Sequence, residues 1–352
     1  MKKITIKDIC REAGVSNCTV SKVLNNKPRV GEKTRKRVRA IVDRLKYIPD
    51  STARNLSRSK TDTIGVIFPK FGRGMFSQLL DGVEEVIRPH KLYILAVSSV
   101  DAADQIRSFD VALRIMNERR IDGIMLCNAG LSAAEERELR KYQIPIVVNE
   151  RLVRGSMLDA VLYDNFKGGY EATKHLIEHG YERIATLTGP SQWESASERL
   201  RGYKTALKDY SLPVDSRLVV EGTWTGESSA AKFISHFRDG KWPEAIFAAN
   251  DDMAMSLLKY ISNHRDDKIR STAIVGFDDL ELADFAGLTT VHVPTEEIGR
   301  FMALRLLELI QHPNQKKPNP TVMTVPVQLV TRSSCGCLSS RGKVRAGAKE
   351  VL

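Results

Sequence analysis

The sequence predicts two unlike parts: a small all-α head, then a larger α/β body of two lobes built on parallel sheets. Three observations predict this. Residues 1–60 hold 17 Lys/Arg against 5 Asp/Glu, a charge of 17 − 5 = +12, and their apolar residues recur with helical spacing. From Thr61 onward, short apolar runs alternate with helix-length amphipathic segments, as in parallel sheets covered by helices. At 352 residues the chain is long enough for a large core and more than one domain.

Charge separates the parts. The whole chain carries +11, and residues 338–352, with four Lys/Arg and one Glu, carry +3. The middle, 61–337, is therefore 11 − 12 − 3 = −4. A basic head on a slightly acidic body points to a polyanion as the head's partner. A basic disordered arm would carry the same charge but not the helical periodicity. No stretch approaches the roughly 18 apolar residues of a membrane helix, and the opening "MKKITIKDICREAG" has no apolar signal-peptide core. Cys10, Cys18, Cys127, Cys335 and Cys337 are few, odd in number and scattered, which fits a reducing cytoplasm.

In the head, Thr5 caps a first helix with Asp8 placed for a capping box. Ile6, Ile9, Cys10 and Ala13 then fall on one face, and Gly14 stands where a left-handed residue ends the helix. Ser16 caps a second helix with Val20, Val23 and Leu24 inside. Val38, Ile41, Val42 and Leu45 form the inner face of a third. Helix, short Gly-containing turn, helix and support helix make the helix-turn-helix plan. The second helix then offers Asn17, Cys18, Ser21 and Lys22 outward, at the reach of base edges in a major groove. An ordinary solvated face is the competing reading, and the +12 charge weighs against it.

"TIKDICREAGVSNCTVSKVLNN" and "TRKRVRAIVDRLKYIPDSTARNLSRSKTDTIGVIFP" resemble the LacI/GalR family of bacterial transcription regulators, and the resemblance extends to about Cys337. It implies that Thr5, Ser16, Thr19, Ser21 and Asn25 hold backbone phosphates and that Asn17, Cys18 and Lys22 read bases. Lys22 departs from the Arg common there, and a lysine lacks the planar two-bond fork. Gly31 departs from the usual Ser cap of the third helix.

The segment "YIPDSTARNLSRSKT" follows. Pro49 ends a helix, and Asp50 or Ser51 can cap a short new one with Ala53 and Leu56 as its apolar residues. About eight residues are too few for a stable isolated helix. The resemblance implies that this hinge folds on DNA, pairs with its twin in the minor groove and inserts Leu56 as a wedge.

In the body, "TIGVIFP", "LYILAVSS", "DGIMLCN" and "IPIVVNE" form a first set of strands. "AVLYD", "RIATLTG", "RLVVEG", "AIFAAN" and "TAIVGFDD" form a second. Two sets imply two lobes with a cleft where strand carboxyl ends converge. The resemblance implies the two-lobed, periplasmic-binding-protein-like (type I) fold. The expected domains are 1–47 head, 48–60 hinge, 61–337 body and 338–352 a basic mobile tail. Lobe one takes 61–161 and 293–323, and lobe two takes 162–292 and 324–337.

Polar groups end several strands. The resemblance implies that Asp164, Arg199, Asn250 and Asp278 bind an effector, with Phe76 and Trp224 as aromatic walls. Carboxylates, an amide and a guanidinium suit a hydroxyl-rich ligand, and a ring suits the C–H face of a sugar. Asp251 and Asp279 read equally well as caps of following helices. "FGRGMFS" has Ser77 where the third glycine of a dinucleotide fingerprint would stand. No P-loop, GxSxG or HExxH occurs, so no enzyme chemistry, cofactor or metal is expected. A lone Cys335-Gly336-Cys337 is weak for metal.

The expected function is thus a sequence-specific repressor that binds a pseudo-palindromic DNA operator as a homodimer, controlled by a small-molecule effector, a sugar or sugar derivative. The alternative within the family is a global regulator answering to a phosphorylated protein. A sugar-binding transport component would want a signal sequence and no basic head.

Overall fold

The computed structural model describes residues 4–24, 26–47, 60–69, 74–99, 108–118, 120–127, 130–149, 155–238, 240–313 and 319–336. The chain divides after Thr61 into two compact units.

The first unit holds α1 (Ile6–Ala13), α2 (Asn17–Leu24) and α3 (Glu32–Arg44). Asp8 accepts from both the Thr5 N–H (2.9 Å) and the Thr5 hydroxyl (2.7 Å), fixing the start of α1. Gly14, at φ 59, ends it in the left-handed region. Ser16 Oγ accepts from the Thr19 N–H at the start of α2. Ile9, Ala13, Val20, Val23, Val38 and Ile41 close one small core. Each buried aliphatic side chain there contributes roughly 1.5–3 kcal/mol, a large share of the stability of so small a unit.

Among the described residues, the second unit contains two six-stranded sheets. Its elements run β1 (Thr63–Phe68), α4 (Gly74–Ile87), β2 (Tyr93–Ser98), α5 (Ser108–Asn117), β3 (Gly123–Cys127), α6 (Ala133–Arg140), β4 (Ile146–Asn149) and β5 (Asp159–Tyr163). Next come α7 (Asn165–Glu178), β6 (Ile184–Thr188), α8 (Glu194–Asp209), β7 (Val219–Glu221), α9 (Gly226–His236), β8 (Ala245–Ala248), α10 (Asp251–Ser262) and α11 (Asp267–Arg270). The unit ends with β9 (Ala273–Asp278), α12 (Glu281–Phe285), β10 (Thr289–His292), α13 (Thr295–Gln311), β11 (Val322–Val325) and β12 (Gln328–Val330).

The sheet orders are β11-β5-β4-β3-β1-β2 and β12-β10-β9-β8-β6-β7, parallel except for β12. In each sheet the chain runs outward on one side of β1 or β6 and then reverses to the other. The gaps β1/β3 and β6/β8 are therefore switch points, where ligands of such sheets bind outside the carboxyl ends.

Two boundaries differ from the sequence expectation. "AVLYD" supplies β5, which pairs with β4 and β11 in the first sheet, not the second. β11 holds Thr324 and Val325 in the first sheet, so the last return to the second lobe starts at Pro326. Among the described residues, no helix is long and apolar enough to cross a membrane.

Candidate functional site

In the head, the inward face of α2 is spent on Val20 and Val23, at 0% and 1% exposure. The opposite edge carries Asn17 and Cys18, both exposed, with Lys22, Thr19 and Ser21 half-buried beside them and Ser16 exposed at the cap. Ser16 and Thr19 hydroxyls lie 3.0 Å apart. Helix α3 steadies the turn after α2. Arg39 donates to Asn26 Oδ1 (2.6 Å), and Arg35 to the Lys27 carbonyl (2.9 Å). An ion pair between Arg44 and Glu12 ties α3 to α1. Asn25, Ala53 and Leu56, and the tail from residue 338, lie outside the described residues.

In the body, the expected groups gather at the second sheet's carboxyl ends around Arg199. This arginine projects from α8 at 3% exposure. Its Nε donates to Asn165 Oδ1 (2.8 Å) and its Nη2 to the Tyr163 hydroxyl (3.1 Å). Nη1 donates to the Ala249 carbonyl and pairs with Asp278 Oδ1 at 3.6 Å. The guanidinium lies 3.6 Å from the centroid of the Phe277 ring, with Trp224 at 5.5 Å and Tyr163 at 5.9 Å. A buried cation needs this many partners because water no longer solvates it. Arg199 and Asp278, both expected at an effector, are paired with each other.

Asn250 caps α10 by accepting from the Met253 N–H (2.9 Å), and its Nδ2 donates to the Trp224 carbonyl (3.1 Å). The Trp224 ring lies against Gly189, just past the end of β6. Asn250 and Trp224 thus sit at the β6/β8 switch point. Asp164 caps α7 by accepting from the Lys167 N–H (2.8 Å). Phe76 departs from the expected open wall. It is 4% exposed and stacks on Phe68, with centroids 5.0 Å apart, so it belongs to the core of the first lobe.

Three non-glycine residues here have left-handed backbone: Trp224 (φ 66), Asp278 (φ 116) and Asp279 (φ 58). Each costs on the order of 1–3 kcal/mol and persists only where its surroundings hold it. Asp279 is held by His292 Nδ1 and by Arg332 Nη2, both at 2.9 Å. Asp251, for which helix capping was one of two open readings, does not cap. It is fully buried, accepting from the Leu280 N–H and the Thr290 hydroxyl.

Sequence reasoning missed Tyr163, Asn165 and Phe277. Their one sequence signal is position, at or just past the ends of "AVLYD" and "TAIVGF". Cys10 and Cys18 carry free thiols, and Cys335 is buried and disulfide-bonded. Among the described residues, no cluster of three or more His, Cys, Asp or Glu side chains is arranged to hold a metal.

Two family profiles match the chain. "Periplasmic binding proteins and sugar binding domain of LacI family" covers residues 61–333, and "Bacterial regulatory proteins, lacI family" covers residues 5–50. The chain is 32% identical over 339 residues to the HTH-type transcriptional repressor PurR of Vibrio atlanticus (strain LGP32), covering 95% of this chain and 99% of that protein. It is 30% identical over 337 residues to catabolite control protein A of Priestia megaterium, covering 94% and 99%. Among solved structures, it is similar to the Lac repressor dimer bound to operator and the anti-inducer ONPF. That match has 25% identity and a TM-score of 0.79 over 95% of this chain and 99% of that one. It is also similar to the transcriptional regulator CelR–cellobiose complex, at 26% identity and a TM-score of 0.68 over 94% and 99%.

Proposed function

This chain belongs to the LacI family of bacterial regulatory proteins, and from that premise we propose how it works. It is a DNA-binding transcriptional repressor and not an enzyme. As a cytoplasmic homodimer it reads a pseudo-palindromic operator with Asn17, Cys18 and Lys22. Thr5, Ser16, Thr19, Ser21 and Asn25 grip the backbone. A neutral, hydroxyl-rich effector, a sugar or sugar derivative, binds at Arg199, Asp278, Asn250 and Trp224, with Asp164 at the rim.

One observation carries the reading. A single chain joins a +12 helical unit with a polar α2 edge to an α/β body whose buried arginine, carboxylate and ring converge at a switch point. The Arg199–Asp278 pairing favours a neutral ligand, because the guanidinium charge is already balanced. Arg199 also touches both lobes, reaching Tyr163 of β5 and Asp278 of β9. A ligand that rearranges it can therefore bias the lobes, with coupling on the order of 1–3 kcal/mol.

The test is a thermal-shift screen of neutral sugars, cellobiose and ribose among them, against sugar phosphates. A specific ligand at one hundred times its Kd stabilises by about 2.7 kcal/mol. A neutral sugar should shift the wild type and not Asp278→Asn. Equal shifts in both proteins would place the site elsewhere, and shifts from phosphates alone would refute a neutral effector.

A further inference from the structure

Asp251 opens α10 at 0% exposure. Its Oδ2 accepts from the Leu280 N–H at 2.8 Å, and its Oδ1 lies 2.5 Å from the Thr290 hydroxyl. Leu280 directly follows the left-handed pair Asp278–Asp279. Asp251 therefore clamps the far end of the turn that presents Asp278. Space for it is left by Gly276, where a Cβ would stand 2.3 Å from Asp251 Oδ1, with Leu288 and Ala254 nearby.

What faces this carboxyl is unfavourable to a charge. The carboxylates of Asp278 and Asp279 come from the end of β9. The basic groups in the neighbourhood are engaged with them. Arg199 from α8 pairs with Asp278, Arg332 beyond β12 pairs with Asp279, and the His292 ring from β10 is hydrogen-bonded to Asp279. Asp252 follows on the same helix. Among the described residues, no ion pair reaches Asp251 itself; it has two neutral donors and the start of its own helix. A buried carboxylate without a cation is strongly disfavoured.

We propose that Asp251 is the positioning residue of the effector site: its buried carboxyl, uncharged, fixes the left-handed turn that carries Asp278. In that form Oδ1 carries the proton and donates it to Thr290 Oγ1, the reverse of the bond that the carboxylate would accept, while Oδ2 still accepts from Leu280. Burial, reinforced by the Asp278 carboxylate, pushes the Asp251 pKa from 3.8 up to about 8. That Asp278 contacts an effector rests on the function proposed above. The state of Asp251 does not, and the test needs no effector.

The experiment is urea unfolding of the full-length protein by tryptophan fluorescence between pH 5 and 9, for wild type, Asp251→Asn and Thr290→Val. Asparagine copies the shape of the protonated acid, so the variant should fold. A carboxyl whose folded pKa is raised contributes stability that is full below 3.8 and lost as pH rises through about 8. The wild-type unfolding constant, relative to Asp251→Asn, should thus rise by up to about tenfold per pH unit from pH 5, levelling off near pH 8. Thr290→Val should keep this slope and extend it to higher pH, because the carboxylate has lost a donor. A ratio that is flat or falls with pH would overturn the proposal, as would failure of Asp251→Asn to fold. Hydrogen exchange tests the positioning. In Asp251→Ala the Leu280 amide should exchange at least about tenfold faster, relative to the β9 amides, than in wild type. Unchanged relative exchange there would show that Asp251 does not hold the turn.

Discussion

Replacing Arg199 with methionine separates a ligand-binding arm from a brace. Methionine fills similar space and keeps a favourable sulfur contact with Phe277, so the main loss is the fork of donors. Asp278, whose side chain is 12% exposed, loses its pairing with Arg199, and Asn165 Oδ1, the Tyr163 hydroxyl and the Ala249 carbonyl each lose a donor. Breaking a buried ion pair by removing one partner costs about 3–5 kcal/mol. Orphaned acceptors lie within that range, not on top of it, because water and local relaxation recover part of the loss. At an m-value of about 3 kcal/mol/M for urea, the midpoint should fall by about 1–1.7 M with the slope unchanged. Asp278→Asn in the same background should restore part of the loss, since the buried carboxylate charge is gone, giving a coupling of about 1–3 kcal/mol. A midpoint shift below about 0.3 M would show that Arg199 is a solvated ligand group and not a brace. Loss of effector response in Arg199 variants then has two sources, which the stability measurement tells apart.

Alanine at Asn17, Cys18 or Lys22 should each alter preference at one operator base pair by roughly 1–3 kcal/mol. Uniform weakening on every sequence, measured on operator and random duplexes, would make them phosphate contacts. Operator binding by two heads should fall with salt at a log–log slope of about −6 to −10, and a slope near zero would exclude the basic unit as the DNA-binding surface. His175 on α7 is pushed down to about 4, by burial first and by the neighbouring His179 second. A folded pKa below the unfolded 6.5 gives stability that is present above pH 6.5 and lost as pH falls through about 4. His175→Gln should therefore be relatively more acid-resistant, by about 1–2 kcal/mol at pH 4 after allowance for solvent screening. Parallel stability profiles would refute it.

Local chemistry made the head legible from sequence. The spacing of Ile9, Ala13, Val20, Val23, Val38 and Ile41 determines three helix faces, and Thr5, Asp8, Gly14 and Ser16 mark their ends through contacts at most five residues long. Strand existence in the body was legible for the same reason, as short apolar runs between helix-length segments. Tertiary structure alone decided which sheet a run joins, because a strand buried on both faces reads the same in either. "AVLYD" went to the first sheet through pairing with β4 and β11, the latter more than 150 positions away. Side-chain fates at the site were decided the same way. Phe76 turned into the core because Phe68 offered a ring at 5.0 Å. Arg199 found Tyr163, Asn165 and Phe277 across 34 to 78 residues of chain. Asp251 lost its capping role because Asn250, one position earlier, already accepts from the helix, leaving its carboxyl to face Leu280 and Thr290. Periodicity and caps act through neighbours along the chain, whereas burial of a charge depends on groups that only folding brings together.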